Sequence, residues 1–305
     1  MSARLIGKLA GGAAALAAAA GALGAAEGVT RSTVIVEEFT AEWCGPCYGG
    51  FYAMERMQAR WGEAVSLLTW SIADRYTHAD ATRRQGEVGV NAIPSFLFQG
   101  TYFSVGTPPD NTIDSYVRSS QSLPKSGQVI SRWKLRPNSI VSVGIKFQAD
   151  QNLSNYELRV HIHESNWYVQ CSNGLTHYNN HVQQVFYEAL PTMQAGQQQT
   201  IIRHYDLSAN PWIHNMEEVG VTVFLHDRAN NRSVKAGWEI GEVNLGDLNG
   251  DLNITQQDAV LFQGQIGKRI GQPGFNPAAD WDQNGIINLT DRNLALDYIR
   301  NGGMR

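Results

Sequence analysis

The stretch "TAEWCGPCYGG", residues 40–50, constrains this chain more than any other. It follows the apolar run "STVIVEEFT" and leads into "CGPCYGGFYAMERMQARWG", where Phe51, Met54, Met57 and Trp61 recur at helical spacing. Cys44 and Cys47 therefore sit where a buried strand gives way to an amphipathic helix. Pro46 suits the first helical turn, because the N–H it lacks would have no partner there. Three uses for such a pair compete: metal ligands, a structural cross-link, or a reactive dithiol. A metal site needs further Cys or His at ligand spacing, and the one other cysteine, Cys171, is far downstream and alone. A bridge closing so short a loop stabilises little. The reactive reading remains. A thiolate at a helix N-terminus is favoured by unpaired N–H groups and the helix dipole, which bring the pKa below the ~8.5 of a free thiol. Cys44 is then the exposed, attacking sulfur, and Cys47, one turn in, is shielded and resolves the mixed disulfide.

With strand, tryptophan and cysteines together, "VEEFTAEWCGPC" resembles the active site of the thioredoxin family, and the likeness covers residues 32–123. The resemblance implies an α/β thioredoxin-like fold, a redox-active Cys44–Cys47 disulfide with Cys171 free, and Trp43 as part of the site. It implies that Glu38 is a buried acid beneath the dithiol, able to take the proton of Cys47. It also implies that Pro94 in "AIPSF" is a cis-proline, with Ile93 offering backbone to an extended substrate. The partner so implied is a protein disulfide or thiol, and no organic cofactor is required. The remaining segments agree: "AVSLLTWSIA" reads as a buried strand, "VNAIPSFLFQG" and "TYFSVG" as paired strands turning at Gly100, and "NTIDSYVRSSQS" as a closing helix.

After the linker-like "LPKSGQ", residues 127–242 change character. "SIVSVGIKFQ", "YELRVHIHES", "QTIIRHYDL", "EVGVTVFLHD" and "SVKAGWEI" alternate apolar and polar residues between polar turns, the pattern of a β-sandwich-like domain. Residues up to 240 also resemble a bacterial family in which a thioredoxin-like domain precedes a β domain. His161 and His163 share a strand face with Arg159, which reads as polar and solvent-facing. His177 and His181 read as packing residues or as donors in a loop hydrogen bond, and Cys171 as a buried, inert thiol. Of Trp133, Trp167, Trp212 and Trp238, the last alternates like a core residue; a sugar platform would need some of them exposed on one face.

A third region holds two twelve-residue loops, "DLNGDLNITQQD" and "DWDQNGIINLTD". Oxygen-bearing side chains fall at positions 1, 3, 5, 9 and 12 of each: Asp247, Asn249, Asp251, Thr255 and Asp258, then Asp280, Asp282, Asn284, Asn288 and Asp291. Position 7 supplies a backbone carbonyl, from Asn253 and Ile286. Hard oxygens at this spacing, twice in register, point to two calcium ions. The duplicated loop followed by a helix resembles the type I dockerin, over residues 245–302. That resemblance implies a small α-helical module that folds around calcium and binds a cohesin domain, with Gln256, Gln257, Leu289 and Thr290 at the positions that recognise it. Leu252 stands where the first loop would have glycine.

Residues 1–26 have the layout of a secretory signal peptide: a basic start with Arg4 and Lys8, an Ala/Gly-rich apolar run, and small residues before Glu27. The run is short and weakly apolar for a membrane span. A length of 305 residues suggests two or three domains. With 43% hydrophobic and 17% charged residues the chain can build cores and is not disordered. A net charge of -4 without a Lys/Arg cluster argues against nucleic-acid binding. The sequence thus reads as a multidomain, bacterial, secreted, periplasmic or cell-surface thiol–disulfide oxidoreductase with a docking module. The alternative is a non-catalytic extracellular adaptor on a thioredoxin-fold scaffold.

Overall fold

The computed structural model describes residues 27–31, 33–136, 139–237, 248, 255–269, 272–280 and 285–300. The signal-like segment, Trp238 and the predicted ligands Asp247, Asn249, Asp251, Asn253, Asp282 and Asn284 lie outside the described residues.

The first described strand, β1 (Glu27–Arg31), pairs with a strand of the second half. β2 (Val34–Thr40) is buried along its whole length, as expected of a strand covered on both faces. It runs parallel to β3 (Val65–Ser71) and antiparallel to β4 (Ser95–Phe98), which pairs with β5 (Tyr102–Val105). Helix α1 (Cys47–Trp61) lays Ala53, Met54 and Met57 on Val34, Val36, Val65 and Phe96. Ile113 and Val117 of α3 (Asp110–Gln121) join the same core. Helix α2 (Ala79–Val88) contributes Ala81 to the core that includes Ile35, Phe39, Leu68 and Trp70.

The second half is a sandwich. β6 (Gly127–Arg136), β7 (Ile140–Ala149) and β12 (Gln198–Asp206) form one layer with β1 and the short β15 (Ala236–Gly237). β8 (Tyr156–Glu164), β11 (His181–Ala189), β13 (Val219–Asp227) and β14 (Arg232–Val234) form the other, and β9 (Trp167–Tyr168) with β10 (His177–Tyr178) makes a separate small hairpin. Val141, Val143 and Ile145 meet Val160, Ile162 and Val223 between the layers.

This second layer does not stop at the boundary expected near residues 123–127. β11 pairs in parallel with β3, His181 opposite Thr69, so one eight-stranded sheet runs β14-β13-β8-β11-β3-β2-β4-β5. Val182, Val185 and Phe224 share a core with Ile35, Leu68, Trp70 and Leu97. The change of pattern along the sequence is real, but sheet and core pass across it.

That junction overturns the solvent-facing reading of His161 and His163. Both are buried, as is Arg159. The opposite face of β8 lines the sandwich, and this face packs against the first half: His161 meets Trp70 of β3 edge-on at 5.6 Å, while Phe224 of the neighbouring β13 stacks on it at 4.5 Å. Burial pushes the His161 pKa well down and that of His163 down to about 4. Trp167 is likewise fully buried, stacked 4.0 Å from His181, and offers no sugar platform.

Beyond residue 248, α4 (Gln256–Leu261) and α5 (Leu289–Arg300) each follow one of the predicted loops. Phe262, Ala279, Ile287 and Ala295 form a small core there. No helix among the described residues is long and apolar enough to cross a membrane.

Candidate active site

Cys44 and Cys47 are disulfide-bonded, with Cα atoms 5.3 Å apart, where β2 gives way to α1. Cys171 is free and buried, and burial raises its thiol pKa, which favours an inert thiol. The Ile93–Pro94 peptide bond is cis, and Ile93 packs against Ala41, Cys44 and Cys47. Trp43 is 56% exposed, its indole N–H donating to the Ala73 carbonyl at 2.9 Å.

Glu38 lies on β2, one strand pair from Thr69 and one from Phe96, and its side chain reaches under α1. Its Oε1 has no hydrogen-bond partner among the described residues. A Cβ placed on Gly50 would stand 2.3 Å from that oxygen, so only glycine there leaves room for the carboxyl. Burial pushes the Glu38 pKa up to about 8, which holds the group protonated at neutral pH. A neutral carboxylic acid in that position can hand a proton to a thiolate and take it back later.

The exposed position expected for Cys44 is not what the fold builds. Cys44 is only 3% exposed; it packs with Ala41, Cys47 and Ile93, and the tip of the β9–β10 hairpin lies on the active-site loop. Asn173 donates from its side-chain amide to the carbonyls of Cys44 (3.1 Å) and Ala41 (3.4 Å), and its backbone N–H donates to the Glu42 carbonyl at 3.0 Å. Ser172 Oγ donates to the same Glu42 oxygen at 3.3 Å. Arg75 ties the two sides together, pairing with the Glu42 carboxylate at 2.8 Å and donating to the Gln170 carbonyl at 2.7 Å. Below, the buried Tyr178 hydroxyl stands beside the Cys171 thiol and Thr40 without a hydrogen bond of ordinary geometry to either; burial raises its pKa. Sequence reasoning missed Gly50, Arg75, Ser172 and Asn173. The "CSNG" turn signal was visible, but nothing local says where such a turn docks.

The calcium-type residues that are described lie in two equivalent settings. In the first loop Asp258 is buried, and its carboxylate accepts from the N–H groups of Leu248 and Thr255, both at 2.7 Å. In the second, buried Asp291 accepts from the Asn288 N–H at 2.8 Å. Asp280 accepts from the N–H of Gly285, whose φ of 81° suits glycine. Buried carboxylates oriented by their own loops fit a hard, oxygen-preferring cation, which would neutralise them. Ile286 is half-buried, and its carbonyl accepts from the Asn288 side-chain amide at 3.2 Å. Gln256, Gln257, Leu289 and Thr290 are exposed at the starts of α4 and α5.

No protein-family model matches the chain. No curated protein matches it either. Among solved structures, HBP35 of Porphyromonas gingivalis is similar, with a TM-score of 0.53 and 18% identity, covering 70% of this chain and 77% of that one. A protein from Agrobacterium tumefaciens aligns with a TM-score of 0.48 and 18% identity, over 68% of this chain and 96% of that one. Fasciola hepatica thioredoxin aligns at 22% identity with 29% of this chain, over 82% of its own length, with a TM-score of 0.24. The likeness to HBP35 is one of fold. Together with the cysteine pair at the strand–helix turn, the first half is thioredoxin-like.

Proposed function

We propose that this protein is an exported thiol–disulfide oxidoreductase carrying a calcium-dependent docking module. The observation that supports the redox reading most is the Cys44–Cys47 disulfide at the start of α1 with protonated Glu38 buried beneath it. In the reduced protein, the Cys44 thiolate attacks one sulfur of a substrate disulfide. The substrate S–S bond breaks, and its leaving thiolate takes a proton from water. Glu38 first releases its proton to water. Cys47 then gives its proton to that carboxylate and attacks Cys44, and the second substrate sulfur leaves as a thiolate that takes a proton from water, which leaves the internal disulfide and restores protonated Glu38. Two electrons pass from protein to substrate, and an external dithiol restores the reduced state. Run in reverse, the same steps oxidise a substrate dithiol, and protonated Glu38 then supplies the proton that Cys47 needs as it leaves.

Export rests on the signal-like residues 1–26, and the compartment it leads to tolerates disulfides. Docking rests on the paired acidic loops. Asp247, Asn249, Asp251, Asn253, Thr255 and Asp258 would hold one calcium, and Asp280, Asp282, Asn284, Ile286, Asn288 and Asp291 the second. A cohesin domain is the partner that this module would take.

The test is turnover of a short disulfide-bonded peptide with dithiothreitol as reductant. Cys44→Ser is expected to abolish catalysis, and Cys47→Ser to accumulate mixed disulfides. Equal rates for wild type and Cys44→Ser would leave the non-catalytic adaptor as the better reading.

A further inference from the structure

We infer that the β9–β10 hairpin is a lid latched by Asn173, which sets by size what can reach Cys44. The base of the hairpin is fixed. Trp167 and Tyr178 are fully buried in a cluster with Phe51 of α1, and Asn179 donates to Glu55 of the same helix at 2.7 Å. Val169, Cys171 and Leu175 on the flanks of the tip belong to the same cluster, but its end, Ser172 to Gly174, is held differently. Its turn closes on itself through Cys171 N–H to the Leu175 carbonyl (3.0 Å) and Gly174 N–H to the Cys171 carbonyl (3.3 Å). It touches the active-site loop through polar contacts that water can replace: Asn173 to three carbonyls, Ser172 to one, and Arg75 bridging from an exposed position. A rigid stem with a hydrogen-bonded tip leaves Cys44 almost wholly covered while requiring little to admit a narrow reactant. A disulfide set in a folded protein surface needs the tip displaced.

This gate is a property of access and rests on the redox reading only for what passes through it. Asn173 is here a positioning residue, and one substitution separates its two jobs. Its Oδ1 accepts from the Leu175 N–H at 3.1 Å and shapes the turn, whereas its Nδ2 makes the latch. Asn173→Asp keeps the first and removes the second, setting a carboxylate against carbonyl oxygens.

The experiment measures alkylation of Cys44 in the reduced, full-length protein by N-ethylmaleimide and by the same maleimide on a long polyethylene glycol chain. Each rate is divided by that of an unstructured cysteine peptide, and mass spectrometry locates the label. In wild type the bulky reagent should be slowed about tenfold more than the small one, and Asn173→Asp should erase most of that difference, since losing two such hydrogen bonds shifts an equilibrium by about that factor. Circular dichroism checks that the variant is folded; Asn173→Ala should move the ratio the same way. Equal ratios in wild type and Asn173→Asp overturn the assignment. Peptide-disulfide turnover is read separately: a protein that discriminates by size but turns over no disulfide keeps its lid and loses the redox reading.

Discussion

At the scale of single residues, Glu38 ties stability to pH. Its pKa is about 8 in the folded chain against an ordinary 4.5, so between those values the native state holds a proton that the unfolded state has released. Stability contributed by the neutral acid is complete below about pH 4.5 and is lost as pH rises through 8. Each tenfold fall in proton activity across that window is worth ~1.4 kcal/mol. Wild type should therefore lose a few kcal/mol from pH 5 to pH 8 relative to Glu38→Gln. Urea midpoints of both oxidised proteins at the two pH values check this; parallel profiles would mean that Glu38 is solvated. Cys44 and Cys47 were legible in the sequence because the strand and the helix on either side of them carry their own apolar patterns, and Glu38 only through the resemblance to the thioredoxin family. Gly50 was not, because its meaning lies in the Glu38 side chain across the strand–helix interface. Asn173 was not, because its partners are more than a hundred residues away.

Among the elements, α2 shows how a polar helix can be indispensable. It buries only Ala81 and Arg84, which is why no apolar periodicity announced it. Arg84 binds Glu37 of β2 through two hydrogen bonds of 2.6 and 2.8 Å, with both groups buried. Glu87 receives Arg159 of β8 at 2.6 and 2.8 Å; with Arg84 and Arg83 also nearby, its pKa falls to about 2 despite its burial. Arg84→Met should therefore cost about 3–5 kcal/mol, because it strands the Glu37 carboxylate, and Arg84→Met/Glu37→Gln should recover most of that loss. Guanidinium denaturation of the three proteins decides it; a double variant no more stable than Arg84→Met would refute the pairing argument. β11 hid for a different reason. A register shift between Val182 and Gln184 breaks its alternation, placing the core residues Val182 and Val185 three apart. The strands β7, β8 and β13, free of such a bulge, were readable from alternation alone.

For the whole molecule, the shared sheet predicts shared fate. In hydrogen exchange under rising denaturant, β3 and β8 should lose protection together, since β11 is paired with both. Loss of β8 well before β3 would mean two separate units. Chelation of calcium should strip protection from α4 and α5 and leave β2, β3 and β8 unchanged. The core there is small, and a bound ion's affinity becomes folding energy. Equal protection of α4 with and without chelator would remove calcium from the account. The broad sequence of α/β, then β, then acidic loops could be read from changes of periodicity. The joining of the first two could not, because strand pairing between distant segments leaves no local mark.

The order of synthesis gives the hairpin a temporal role. Asn173 lies 129 residues after Cys44, and at ordinary elongation rates it is made on the order of 10 s later. During that interval the nascent chain can carry both active-site cysteines without the tip that will cover them or the strand that will border β3. If the redox reading and the lid both hold, a newborn molecule would be open to thiol exchange with whatever it meets first, and would become selective only when its own later segments arrive.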